Sequence, residues 1–217
     1  MPAGFQAWGD GNFVQVDENY RNMMLTRAGY YTGEFSVYAA QTSIIAYRPT
    51  DGATVKMEYQ RWSGSTREHR MSTNGGCYVY IFDFAAPQAG GAGIEVFDGT
   101  GNLVFSSNND YMKVVAQFDT TAAYNGVSVP DTNWGRNCAV APMAMSSGFV
   151  LVGDHWPESD LVDISVDKPA INLSGGNIAA YMQGTVYNYL PSQYQYFQPS
   201  ATYFGLFIDV SGFPTSL

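Results

Sequence analysis

Lysine and glutamate are scarce in this 217-residue chain, with 3 Lys and 6 Glu, and charged residues make up only 13% of it. Helical bundles draw on those residues for their surfaces, so their scarcity argues against one. Histidine is nearly missing. With His69 and His155 alone, a metal site built from several imidazoles is excluded, and no H-E-x-x-H, phosphate-loop or G-x-S-x-G pattern occurs. The two cysteines, Cys77 and Cys138, lie far apart without a C-x-x-C pair, which excludes a disulfide scaffold or a zinc knuckle and leaves buried free thiols as the expectation. No apolar run is long enough to span a bilayer as a helix. The strongest, CYVYIFDFAA, is short and carries Asp83. The opening MPAGFQAWGDGNF lacks a basic stretch followed by an apolar one, so a secretory signal is not expected.

What the chain holds in abundance is glycine and aromatic side chains: 23 Gly, 16 Tyr, 13 Phe and 4 Trp, with 46% hydrophobic residues overall. This is strand and turn material. Alternating segments such as FSVYAAQTSIIAY, TVKMEYQRW, CYVYIFDFA, AAYMQGTVYNYL and ATYFGLFIDVSG predict strands. Pro49–Gly52 and the bend Asn74-Gly75-Gly76 are expected to separate the early ones. No segment holds a 3.6-residue period, so the expected class is all-β, built of antiparallel β-sandwich-like modules.

Two stretches share a pattern. GFQAWGDGNFV (Gly4–Val14) and GIEVFDGTGNLV (Gly93–Val104) each alternate up to an aromatic residue, turn through Asp and Gly, and resume with Gly-Asn, an apolar residue and Val. Asp, Asn and Gly tolerate the positive φ of tight turns, so both predict hairpins. The loop AAPQAGGAG between them suggests two modules, 1–86 and 93–217, with a single intertwined domain as the alternative.

The net charge of −9 is lopsided, because residues 1–70 carry 7 basic and 7 acidic side chains and all the excess lies beyond them. Such a surface disfavours nucleic acid and membrane insertion as partners. The basic run from Arg61 to Arg70 is interrupted by Glu68 and is expected to be a solvated hairpin rim. Asp154, Glu158, Asp160, Asp163 and Asp167 match neither an EF-hand nor a glycosidase pair and are expected to form an acidic edge. His155, beside Trp156, suits a structural role. No catalytic residue, cofactor or metal is expected, and hence no enzyme.

The Tyr-rich stretch Tyr181–Phe204 is the candidate binding region, since Tyr joins contact area to a polar tip at small entropic cost. Tyr187, Tyr189, Tyr194, Tyr196, Phe197 and Trp156 are the candidate contact residues.

MPAGFQAWGDGNFVQVDENYR and GIEVFDGTGNLVFSS resemble the GLQVWDASGNLVLDSSDR type of module in small structural proteins of tailed bacteriophages, associated with the tail tip or tail fibre. The likeness covers the two hairpins, about a quarter of the chain, and the first turn departs from it by being one residue shorter. It implies a non-enzymatic part of the virion tail, made in the host cytoplasm and acting in assembly or host attachment. Other phage tail proteins, further copies of itself and a host surface glycan or receptor would be its partners. The competing reading is a carbohydrate-binding β-sandwich module, with Trp62, Trp134 or Trp156 as stacking platforms.

Overall fold

The computed structural model describes residues 22–120, 127–130, 137–146, 149–151, 162–189 and 202–216. Among these there is no helix, and the chain is all-β. The strands are β1 (Met24–Ala40), β2 (Ile44–Pro49), β3 (Thr54–Ser63), β4 (Thr66–Asp83), β5 (Glu95–Phe97), β6 (Leu103–Ser106), β7 (Lys113–Thr120), β8 (Val127–Pro130), β9 (Cys138–Ser146), β10 (Phe149–Leu151), β11 (Val162–Ser174), β12 (Asn177–Tyr189) and β13 (Thr202–Asp209). One antiparallel sheet runs β7-β13-β9-β2-β4-β3-β11-β12-β8, with β1 on β4 and β10 on β11, while β5 and β6 form a separate hairpin. Two pairings, β2 with β9 and β3 with β11, join the stretch before residue 86 to that after residue 93.

The sheet folds back on itself at one place in β4. Its first half pairs with β3 and its second with β2, while β1 follows both halves. The ladder with β1 slips between Thr32 and Gly33, whose partners are Gly76 and Thr73, so Asn74 and Gly75 stand unpaired. Such a bulge bends and twists a ribbon, and Gly33 supplies the positive φ of 63° on the facing strand. The two halves of β4 then lie in facing layers. Arg67 Nη2 near one end of the strand donates to the Ser43 carbonyl at 2.6 Å, and Ser43 Oγ donates to Asp83 at the other end at 2.8 Å.

Two expectations are corrected here. Asn74-Gly75-Gly76 is a bulge inside one long strand, because pairing with β1 continues on both sides of it. FSVYAAQTSIIAY breaks at 41–43, where Ser43 N bonds Ala40 O at 3.2 Å and Gln41 Nε2 reaches Gly64 O at 2.7 Å. Of the two expected hairpins, Gly93–Val104 is present as β5–β6, and Gly4–Val14 lies outside the described residues.

The core between the layers takes alternate residues from each strand: Phe35, Val37, Val55, Met57 and Met71 from one side, Ile45, Tyr47, Val79, Ile81 and Val140 from the other. Cys77 and Cys138 are free thiols buried in it. Outside the β2 layer a second apolar cluster forms, in which Phe213 lies 6.3 Å from Tyr80 and 5.9 Å from Phe82. The outer face of the other layer, over β1, β4 and β3, is polar.

Three glycines sit under aromatic rings. A Cβ on Gly29 would meet Tyr31, one on Gly76 would meet Tyr30, and one on Gly205 would meet Phe118. Part of the joint excess of the two residue types is therefore a packing device in which the ring covers the strand a glycine leaves bare.

The β5–β6 turn is closed by Asp98. Its carboxylate accepts from Thr100 N at 2.9 Å, Thr100 Oγ1 at 2.7 Å, Asn102 N at 2.8 Å and Asn102 Nδ2 at 2.9 Å. Donors on Asn102 and Thr100 hold the acid far below the usual carboxylate range. The Asp98→Ala variant should exchange its Thr100 and Asn102 amides faster by about tenfold or more with no change in melting temperature, since the effect is local. Hydrogen exchange read by NMR checks this.

Candidate functional site

Alternation in the β1–β4–β3 ribbon sends one set of side chains to the core and the other to the outer face. Tyr38 pairs with Glu68, and Glu68 in turn with Arg61, so these three form a row across the strands. Ser36, Arg70 and Tyr59 form the next row. Glu68 is at the centre and is only 4% exposed. Its Oε1 accepts from Ser36 Oγ at 2.8 Å, Tyr38 Oη at 3.1 Å and Tyr59 Oη at 3.4 Å, and Oε2 accepts from Arg61 Nε. The Ser36 bond foremost, with those from Tyr38 and Arg61, holds the Glu68 carboxyl below its usual range despite burial.

Around this anchor the rings stay open to solvent. Tyr38 is 52% exposed and Tyr59 45%, although both hydroxyls are held on the same carboxylate oxygen. Nearby charges pair within the face: Arg70 with Glu34 at 2.7 Å, Arg61 with Glu68, and Lys168 of β11 with Glu58 at 2.6 Å. Ser72 donates to Glu58 at 2.5 Å, and the Lys168 and Ser72 bonds outweigh burial to lower the Glu58 pKa.

On the other side of the same ribbon the run is not the solvated rim expected of it. His69 is fully buried, and its Nδ1 lies 2.8 Å from the Tyr47 hydroxyl of the facing layer. Burial, helped by Arg67, pushes its pKa down to about 3, so the ring is neutral. Burial also raises the Tyr47 pKa, so the phenol keeps its proton. His69 Nε2 and Arg67 Nε are buried without a hydrogen-bond partner among the described residues. The Arg67 guanidinium stacks 5.6 Å from the ring centre of Trp62, which is 54% exposed.

At the β1 edge a cleft of about 460 Å³ is lined by Thr26, Arg27, Tyr38, Ser43, Thr66 and Asp83, among others. Its polar groups serve each other: Ser43 donates to Asp83, Thr26 Oγ1 to the Ile81 carbonyl at 3.1 Å, and Arg27 Nη2 to the Tyr38 carbonyl. A guanidinium capping a strand-edge carbonyl guards that edge against further strands.

Tyr187 and Tyr189 lie in β12, opposite Ile164 and Val162 of β11. Tyr194, Tyr196, Phe197, Trp156 and Trp134 lie outside the described residues, as do Asp154, Glu158, Asp160 and His155. Tyr38 and Tyr59 were the signal to find: each is an aromatic in the polar phase of its strand, beside Ser36 and Arg61. Among the described residues no three His, Cys, Asp or Glu side chains converge as a metal site would need, and no helix is long and apolar enough to cross a membrane.

Compared with known protein families, with curated proteins and with solved structures, the chain matches none.

Proposed function

We propose that this protein is a non-enzymatic structural component of a bacteriophage tail, at the tail tip or the fibre-attachment region, where it acts in virion assembly or host attachment. The observation that carries the reading is the β5–β6 hairpin. The segment that resembles the phage module forms a unit of its own, closed by Asp98 and outside the large sheet. It exposes Ile94 at 60% and Phe97 at 52%, large apolar side chains that a contact with another tail protein or a second copy would cover. The hairpin is held from below by Tyr111, whose hydroxyl accepts from Ser106 N at 3.0 Å and whose ring stacks on Phe105 at 4.9 Å.

The test is assembly. Wild-type chain co-expressed with the tail proteins encoded beside it should co-purify with at least one of them, and Ile94→Asp with Phe97→Asp should abolish that while leaving the melting temperature unchanged. Co-purification untouched by both substitutions would remove the hairpin from the interface.

A second reading, a carbohydrate-binding module, is favoured by the half-exposed Tyr38 and Tyr59 rings fixed over Glu68. It is compatible with the first as a host-attachment role.

A further inference from the structure

We propose that Tyr38 and Tyr59 form a platform for a neutral pyranose of a surface glycan, on the outer face of β1, β4 and β3. The inference rests on the second reading above and names the site and ligand class. Three observations carry it. The first is exposure: two rings on alternate strands leave about half their surface to water in the polar phase of the sheet, among charged and hydroxyl side chains. Packing does not require them there.

The second is fixation. Both hydroxyls are tethered to Glu68 Oε1, and Glu68 is itself held by Ser36 and Arg61. A ring already fixed loses little rotamer freedom when a ligand stacks on it, which is the condition for a useful contact surface. The apolar C–H face of a pyranose matches such a surface, and its hydroxyls can meet the ion-paired groups around it.

The third is charge. The two cations beside the rings, Arg61 and Arg70, are each held by a carboxylate, Glu68 and Glu34. The two arginines nearest the rings are therefore already paired, which favours a neutral sugar over a phosphorylated or carboxylated one. Trp62 lies on the opposite side of the ribbon under Arg67 and takes no part.

The experiment is a glycan array holding neutral and anionic glycans, read with the full-length protein and three variants, followed by titration calorimetry on the best neutral binder. The expected result is binding to neutral glycans, weakened by roughly tenfold or more in Tyr38→Ala and in Tyr59→Ala and unchanged in Trp62→Ala. Melting temperatures establish that the variants fold, and Tyr59→Phe, which keeps the ring, should retain most of the binding. Neutral-glycan binding that survives both tyrosine variants, or that Trp62→Ala abolishes, overturns the platform and leaves a carbohydrate-binding module standing. Binding to anionic glycans alone overturns the assigned ligand class. Silence across the array overturns the platform and the carbohydrate reading together, and leaves the tail-component reading intact.

Discussion

Between pH 6.5 and about 3, the fold is expected to lose on the order of 1 kcal/mol of stability per pH unit of acidification through one residue, His69. Burial between the layers and the charge of Arg67 keep the imidazole neutral in the folded protein, whereas in the unfolded chain it takes up a proton near its ordinary pKa of 6.5. The unfolded state then binds more protons throughout that window, so its contribution is complete above pH 6.5 and declines as the pH falls toward 3. Glu58, Glu68 and Asp98, whose folded pKa values are lowered, act in the same direction but further down. Their contribution is present above the ordinary values of 4.5 and 3.8 and is lost below them. The interval from about pH 5 to 6.5 therefore isolates His69 among these groups. In His69→Asn the side-chain amide, which carries both a donor and an acceptor, can replace Nδ1 as the partner of the Tyr47 hydroxyl. The variant should be less stable at pH 7 by about 1–3 kcal/mol, and the slope between pH 5 and 6.5 should shrink by most of the His69 share. Urea unfolding of both proteins at four pH values measures this, and equal slopes would show that His69 protonates without cost in the fold.

Gly205→Ala is expected to cost about 2–3 kcal/mol, or roughly 5–10 °C in melting temperature for a chain of this length. Gly205 lies in β13 between β7 and β9, and a Cβ there would stand 2.5 Å from the Phe118 ring and 2.7 Å from the Ala141 carbonyl oxygen. Neither can give way easily. Phe118 is 4% exposed and wedged edge-on against Tyr203 at 5.1 Å and against Phe207 at 5.1 Å, and the carbonyl belongs to the ladder of a central strand. Gly76→Ala provides the contrast. The nearest atom there is 2.0 Å away, closer than at Gly205, but it is the hydroxyl of Tyr30, a side chain 51% exposed that can swing into solvent. Its cost should stay below about 1 kcal/mol, so the order of the two variants runs against the order of their nearest distances. Differential scanning calorimetry of the two variants reads the order directly.

What sequence could and could not reveal divides along the range of the interactions involved. The β5–β6 hairpin was legible because Asp98, Gly101 and Asn102 settle it among themselves. The all-β class was legible for the same kind of reason, since alternation is local. The bulge at Asn74–Gly75 was not, because Asn-Gly-Gly favours a turn, and only pairing with β1 on both sides keeps β4 running through it. The burial of Glu68 and His69 was hidden in a run of charged residues, since nothing local says that Tyr47 of another layer will meet one and that Ser36, Tyr38 and Tyr59 will gather on the other. The phase of Tyr38 and Tyr59 within their strands, polar where the core residues are apolar, marks them for the exposed face of the β1–β4–β3 ribbon.

The proposal that the chain is a phage tail component is tested most directly by quantitative mass spectrometry of virions purified from a tailed phage whose genome carries its gene. Peptides from this protein at a fixed, low copy number relative to the tail tube protein are the expected result. Their absence from particles that are complete and infectious would contradict it.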